Sequence, residues 1–159
     1  MRSVDGMADF ESWYRAEATR LVRLLVRLGC PGEDAVDLAA EAFSRALHHW
    51  PRVSQMESPT GWVYRVALNL LRRTQRRKAI EHRLLARRPA PLPAEPIPVW
   101  DAVARLPLRQ RTAIVLHYLL DLPTREVAAL MGVKEGTVAA TLTAARAALG
   151  ASLKEDTDA

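Results

Sequence analysis

Hydrophobic side chains recur every three to four residues along most of this chain, the period that places them on one face of an α-helix. No stretch alternates between apolar and polar residues as a half-buried strand does. Between Arg87 and Pro98, the segment RRPAPLPAEPIP interrupts the pattern with five prolines in twelve residues. Proline lacks an amide hydrogen and restricts the residue before it, so this segment should run extended. The pattern therefore predicts an all-α protein of two small helical domains, residues 10–86 and 99–153, joined by a proline-rich linker over residues 87–98.

Three helices are predicted in the first domain. The first spans Phe10–Leu28, and the second runs from about Glu33 to Trp50, where Pro51 should stop it. The inward face of the second helix is predicted to consist of apolar residues: Val36, Ala39, Ala40, Phe43, Leu47 and Trp50. Its outward face carries charged residues around one leucine: Asp34, Asp37, Leu38, Glu41 and Arg45. A leucine among exposed acids suits a partner surface better than it suits solvent.

The third helix should begin near residues 59–61, where Ser58 or Thr60 is placed to cap it. Its core face is predicted to consist of Val63, Val66, Ala67, Leu70, Leu71 and Thr74. Its outward face carries a basic stripe over three turns: Arg65, Asn69, Arg72, Arg73, Arg76 and Arg77. Acidic residues are absent from this stripe except for Glu81, which favours nucleic acid as its partner over a solvated face or a membrane-surface helix.

Two aromatic residues stand at the start of the basic stripe. The rings of Trp62 and Tyr64 are placed where they can stack on bases. Packing in the core is the alternative for both residues, and for Trp62 the two interpretations are weighed equally.

Charge is distributed unevenly along the 159 residues. Residues 1–50 carry 6 basic against 8 acidic residues, residues 51–98 carry 10 against 3, and residues 99–159 carry 7 against 7. The whole surplus therefore lies in the middle third, where a polyanion is expected to meet the protein.

Residues 123–149, PTREVAALMGVKEGTVAATLTAARAAL, form the most informative stretch of the second domain. Val127, Ala128 and Met131 are spaced to bury one face of a short helix, and Gly132 allows the sharp corner after it. The second helix has its own apolar stripe, consisting of Val138, Leu142, Ala145 and Leu149. This pattern is typical of a helix-turn-helix, whose second helix lies in the DNA major groove. An ordinary helical hairpin with a glycine corner is the alternative.

Three motifs, in this order, resemble those of bacterial extracytoplasmic-function (ECF) sigma factors of the sigma-70 family. They are DAVDLAAEAFSRALHHW, SPTGWVYRVALNLLRR and LPLRQRTAIVLHYLLDLPTREVAALMGVKEGTVAATLTAARAAL. The resemblance covers nearly the whole chain, from about Phe10 to Leu153, and three ordered motifs are far more specific than one helix-turn-helix. It implies a subunit that directs RNA polymerase to promoters.

The resemblance implies three groups of site residues. Docking on core RNA polymerase is implied for Asp37, Leu38, Glu41 and Arg45. Recognition and opening of the promoter's minus-ten element is implied for Trp62, Tyr64, Arg65, Asn69, Arg72, Arg73, Arg76 and Arg77. Reading of the minus-thirty-five element is implied for Thr124, Arg125, Lys134, Glu135, Gly136, Thr137, Ala140, Thr141 and Arg146. Promoter DNA and core RNA polymerase are thus the expected partners, together with an anti-sigma factor of a kind that holds many members inactive.

The chain departs from the family pattern at several of these positions. The family usually has basic residues at or near positions that are Ala139, Thr141, Thr143 and Ala144 here. Phosphate contacts supply most of the salt-dependent affinity for DNA, so the second domain should bind DNA weakly by itself. Arg73 replaces a common aspartate, and Ala40 replaces a common glutamine in the docking segment.

Other classes of protein fit the sequence less well. A stand-alone helix-turn-helix regulator is the alternative, although it gives the first domain no role. The four histidines lack metal-ligand spacing and there is no glycine-rich phosphate loop, so neither an enzyme nor a cofactor or metal is expected. No apolar run approaches a membrane span or a signal-peptide centre, so a cytoplasmic protein without membrane insertion is expected. Cys30, the single cysteine, is expected to be a buried, inert thiol.

Overall fold

A computed structural model describes residues 2–85 and 98–158 of the chain. Its helices are α1 (Arg2–Arg27), α2 (Gly32–His48), α3 (Trp50–Val53), α4 (Pro59–Leu85), α5 (Pro98–Arg105), α6 (Leu108–Ile114), α7 (Thr124–Met131) and α8 (Glu135–Asp158). A π-helical turn, Val115–Leu119, continues α6. The described residues contain no strand and form two compact units, built mainly from α1–α4 and from α5–α8. The all-α prediction with two helical domains is therefore confirmed.

The predicted proline-rich linker lies almost entirely outside the described residues, because residues 86–97 are not among them. Pro98, which the prediction placed in the linker, is the first residue of α5. Proline is well tolerated at a helix start, where its missing amide hydrogen has no intrahelical partner to bond. Among the described helices, none is both long and apolar enough to span a membrane.

The core of the first unit is formed by leucines of α1 and small residues of α2. Leu21, Leu24 and Leu25 are almost fully buried. The predicted inward face of α2 is right for Ala39 and Phe43 and wrong for Val36, Ala40 and Leu47. The residues of α2 that are buried are Ala35, Ala39, Ala42, Phe43 and Ala46, whereas Val36, Ala40 and Leu47 are exposed. Alanines allow neighbouring helices to approach closely, so packing favours the small face of α2 over its larger apolar residues.

Two sequence predictions concern the end of α2 and the start of α4. Pro51 does not end the helical path but sits in the first turn of the short helix α3. The hydroxyl of Ser58 accepts a hydrogen bond from the amide of Gly61 at 2.9 Å, which confirms Ser58 as the cap of α4. Thr60, the other candidate, instead accepts a hydrogen bond from the Trp13 indole at 3.1 Å, which fixes α1 against the start of α4.

The second unit contains the predicted helix-turn-helix. Gly132 follows α7 with φ of 67°, the left-handed conformation that glycine adopts without strain. The amide of Val133 bonds back to the carbonyl of Ala128 and closes the corner. The residues buried around this corner are Val127, Ala128, Leu130, Met131, Val138, Leu142 and Ala145. Both predicted helices and their glycine corner are therefore confirmed.

Candidate nucleic-acid and partner interfaces

The predicted basic stripe lies on the outward face of α4. Val63, Ala67 and Leu71 of this helix are buried, and Leu68, which the pattern analysis missed, is buried with them. The stripe residues on the opposite side are all exposed: Arg65, Asn69, Arg72, Arg73, Arg76 and Arg77. Helical repetition thus concentrates five guanidinium groups on one surface, which is the electrostatic footprint of a phosphate backbone.

Lys78 follows the stripe along α4, but its charge is paired. Its ammonium forms an ion pair with Asp34 of α2, with Nζ and Oδ2 2.5 Å apart. The pair ties α2 to α4 beside Cys30, whose thiol is buried. Burial, with a smaller contribution from the Asp34 carboxylate, raises the pKa of the Cys30 thiol to about 11. The prediction of a buried thiol is confirmed. The raised pKa supports the expectation that the thiol is inert, because only the thiolate is nucleophilic.

The two aromatic residues at the start of α4 have different environments. Tyr64 is only 5% exposed, and its hydroxyl donates to Glu17 of α1 at 3.3 Å. Burial raises the pKa of the Tyr64 phenol, and the nearby Glu17 carboxylate raises it further. The interpretation of Tyr64 as a ring that stacks on bases is therefore wrong, since the side chain is a core residue. Trp62 is half-buried, and its ring lies 6.4 Å from that of the exposed His49.

The outward face of α2 combines charge with exposed apolar area. Asp37, Glu41 and Arg45 are exposed, Leu38 is half-buried, and Arg45 donates to Glu41 at 2.9 Å. The large apolar residues Val36 and Leu47, placed inward by the sequence pattern, are 53% and 41% exposed. These two residues were missed as surface candidates because alanines give α2 two apolar faces of similar strength. An exposed valine and leucine beside acidic residues are typical of a protein-binding surface.

The start of the helix-turn-helix brings two candidate residues together. Thr124, the first residue of α7, donates its hydroxyl to the carboxylate of Glu135, the first residue of α8, at 2.6 Å. Arg125 and Lys134 stand beside them, and both are exposed. The first turn of a helix presents unpaired amide groups and a partial positive charge, so this corner suits a phosphate.

Along α8 the candidate residues divide between the exposed face and its flank. Gly136 and Ala140 are exposed, whereas Thr137 and Thr141 are half-buried. The hydroxyl of Thr141 donates to the carbonyl of Thr137 at 2.7 Å. Its donor hydrogen is thus directed into the helix and not outward.

Arg146 contacts a residue of the π-helical turn. Its Nε donates to the hydroxyl of Tyr118 at 2.7 Å, and its guanidinium lies 5.6 Å from the centre of that ring. The same turn is closed by His117, whose Nδ1 lies 2.8 Å from the carbonyl oxygen of Leu122. His117 is half-buried at the edge of the core. In the part of the chain that the structure describes, no group of three or more potential metal ligands comes together.

Together, the fold and these surfaces define an all-helical DNA-binding protein of two units, one with a basic helix and one with a helix-turn-helix. Residues 13–80 match the family described as sigma-70 region 2, and residues 97–149 match the family described as sigma-70, region 4.

Curated relatives of similar length narrow the family further. The sequence is 30% identical over 156 residues to the ECF RNA polymerase sigma factor SigC of Mycobacterium tuberculosis, which covers 92% of this chain and 84% of that protein. It is 28% identical over 157 residues to the RNA polymerase sigma-E factor of Streptomyces coelicolor, covering 89% of this chain and 84% of that protein. The chain belongs to the ECF RNA polymerase sigma factors of the sigma-70 family.

A solved structure shares the fold. The sigma factor RpoE of Bartonella quintana, crystallised with the anti-sigma factor NepR, is 20% identical and matches with a TM-score of 0.76. The match covers 92% of this chain and 97% of that one.

Proposed function

We propose that this sigma factor divides its work among three surfaces: α2 binds core RNA polymerase, α4 opens the minus-ten element, and the α7–α8 corner contacts the minus-thirty-five element. A non-catalytic role follows from this assignment, since every step is binding, and its action on RNA polymerase and promoter DNA assigns it to the cytoplasm. An anti-sigma factor is a further partner, in keeping with the complex of the Bartonella quintana protein. A stand-alone regulator is not favoured, because it has no use for the region 2 match over residues 13–80.

The observation that carries the proposal is the contrast between two surfaces of the first unit. The outward face of α2 is acidic and apolar, with Asp37, Glu41, Val36 and Leu47 at its surface. The outward face of α4 is uniformly basic. A surface of the first kind repels DNA and buries apolar area against protein, whereas one of the second kind attracts a polyanion. One small unit therefore serves a protein partner and a nucleic acid at once.

The proposal assigns the polymerase contact chiefly to the exposed apolar residues of α2. Val36 and Leu47 become buried on binding, and the acidic residues, together with the Glu41–Arg45 pair, set the orientation at the rim. Half-buried Leu38 contributes less area than first expected.

The test is co-purification of the full chain with core RNA polymerase. Val36→Asp with Leu47→Asp should reduce the yield of holoenzyme at least tenfold, because two charges would enter a desolvated contact. Met7→Asp with Leu119→Asp is the matched control, since these apolar residues are 55% and 42% exposed elsewhere on the surface. If the α2 variant keeps the yield of the control, with circular dichroism unchanged in both, the polymerase contact lies on another surface.

A further inference from the structure

Between residues 135 and 147, the exposed face of α8 has few side-chain hydrogen-bond donors. Its exposed residues in this range, apart from Arg146, are Glu135, Gly136, Ala139, Ala140, Thr143, Ala144 and Ala147. None of these side chains contains an N–H group. Arg146 is the exception, and its Nε is bonded to the Tyr118 hydroxyl.

Two threonine hydroxyls of this helix, those of Thr141 and Thr143, direct their hydrogens inward. Thr143, which is exposed, donates to the carbonyl of Ala139 at 3.0 Å, as Thr141 does to Thr137 at 2.7 Å. A hydroxyl has one hydrogen and two lone pairs, so each of these oxygens presents only acceptor capacity to its surroundings.

The remaining polar group on this face is also an acceptor. The Glu135 carboxylate is held at 2.6 Å by the hydroxyl of Thr124, which orients it at the start of α8. A carboxylate has more acceptor sites than one hydroxyl fills, so it still accepts from another donor. Besides Arg146 and the hydroxyl of half-buried Thr137, the side-chain donors beside this face are those of Arg125 and Lys134 at the corner, which suit phosphates.

We propose that α8 reads its promoter element through hydrogen-bond acceptors and methyl groups, selecting the exocyclic amines of cytosine or adenine and the methyl of thymine. In the major groove, guanine offers N7 and O6, which require a donor such as arginine, whereas cytosine N4 and adenine N6 are donors themselves. Glu135 and Thr143 accept from those amines, and the alanine methyls meet thymine methyls. This inference deepens the proposed function and rests on the placement of α8 in the major groove.

The experiment uses base analogues in the best binding sequence. Holoenzyme assembled from the full chain and core RNA polymerase first selects that sequence from promoter fragments randomised over the upstream element. Single bases are then replaced: uracil for thymine removes the methyl, purine for adenine removes N6, and pyrimidin-2-one for cytosine removes N4. The fourth analogue, 7-deazaguanine, removes the N7 acceptor of guanine.

We expect the three amine and methyl analogues each to weaken binding about three- to tenfold at one position or more, and 7-deazaguanine to change it less than about twofold everywhere. A tenfold loss with 7-deazaguanine, with no loss from the other three, overturns the inference and leaves the proposed function intact. If replacement of the whole upstream element has no effect on binding, the role of α8 in the proposed function fails as well.

Two variants sharpen the assignment to residues. Thr143→Val keeps a branched side chain but removes the acceptor oxygen, so one amine analogue should no longer weaken binding. Thr112→Val is the control, because this buried threonine of α6 makes the same bond into its own helix, to Leu108 at 2.8 Å. Unchanged sensitivity to every amine analogue in the Thr143→Val protein contradicts the role of this oxygen.

Ala139→Arg supplies the missing donor and should make binding sensitive to 7-deazaguanine. Ala151→Arg adds the same charge about 18 Å further along α8, given a rise of about 1.5 Å per residue, and should not create that sensitivity. Equal sensitivity in both variants shows a general charge effect and counts against base readout by this face.

Discussion

The helices α4 and α8 are proposed to meet the same DNA molecule, yet their exposed faces have opposite chemistry. The face of α4 presents five arginines: Arg65, Arg72, Arg73, Arg76 and Arg77. The exposed face of α8 presents small residues and acceptors, and its one arginine is bonded to Tyr118. Under this proposal, affinity and readout are separated in the protein. The first unit is proposed to supply ionic attraction to phosphates, and the second to supply contacts to base edges that carry little attraction of their own.

This separation makes the first unit responsible for most of the salt dependence of DNA binding. Replacing Arg65, Arg76 and Arg77 by glutamine should weaken promoter binding by the holoenzyme about a hundredfold at physiological salt, because each lost phosphate contact costs about fivefold and lowers the log–log salt slope by about 0.9. Filter binding across a salt series measures both quantities. The matched control replaces Arg15, Arg23 and Arg109 by glutamine, which are equally exposed but lie off the stripe. Equal slopes in the two triple variants contradict the assignment of the stripe to DNA.

The contrast between the helices should weaken if charge is added to α8. Ala139→Lys with Thr143→Arg should tighten binding to a minus-thirty-five duplex about thirtyfold and steepen the salt slope by about two contacts. The same change should reduce discrimination between sequences, because long cationic side chains also reach phosphates, which carry no sequence information directly. Titration of the full chain with cognate and scrambled duplexes measures both effects. If affinity rises equally after Lys is placed at Ala151, the position on the exposed face is irrelevant.

A smaller effect is expected at the corner of the helix-turn-helix. Lys134→Gln removes one proposed phosphate contact and should weaken binding about fivefold, with a slope change near 0.9. Base preference should stay the same, since phosphates carry no sequence information directly. A selection experiment with the variant checks this, and a shift in the selected sequence would mean that Lys134 contacts a base.

Cys30 lies off the proposed DNA-binding surfaces, so the smallest effect on DNA binding is expected there. Its alkylation rate reports whether the first unit stays folded in these variants. Because its thiol is buried with a pKa of about 11, alkylation at pH 8 should be about two orders of magnitude slower than that of an unperturbed cysteine. The rate should rise with pH until the thiol ionises near pH 11. The free energy of unfolding depends on the same thiol, because its ionisation favours the unfolded chain. The stabilisation by the neutral Cys30 thiol is therefore present below about pH 8.5 and declines from there towards pH 11. Arginine-to-glutamine variants that alkylate faster than the wild type have lost packing.

Sequence reasoning succeeded where one residue type has a single conformational or hydrogen-bonding role. Gly132 at the corner and Ser58 at the cap belong to this class, because a left-handed φ and a side-chain acceptor are local requirements. Val138, Leu142 and Ala145 of the predicted α8 stripe are buried, since the larger Val138 and Leu142 lie on this face, whereas Leu149 is half-buried and the exposed face carries alanines.

Sequence reasoning failed where two faces of a helix are almost equally apolar. In α2 the alanines at positions 35, 42 and 46 are buried, and the larger Val36 and Leu47 are exposed. Side-chain size alone favoured the wrong face of α2. The buried face is decided by how closely α1 and α4 approach α2, and the sequence of a single helix does not reveal that distance. The same limit applies to Tyr64, whose position was assigned to the surface although its hydroxyl bonds to Glu17, 47 residues earlier in the chain. The inward turn of the threonine hydroxyls on α8 likewise depends on rotamers that the sequence leaves open.

The π-helical turn Val115–Leu119 also changes the direction in which side chains point around the helix axis. An α-helix advances about 100° per residue, and the wider π turn accommodates one residue more in each turn, so the chain leaves it out of step with α6. Tyr118, which contacts Arg146, lies within this turn. Deleting one residue from this turn would restore a continuous α-helix. The Tyr118 side chain would then be rotated about a quarter of a turn away from the guanidinium of Arg146. The packing of α8 against the rest of its unit therefore depends on the number of residues in this turn as well as on their identity.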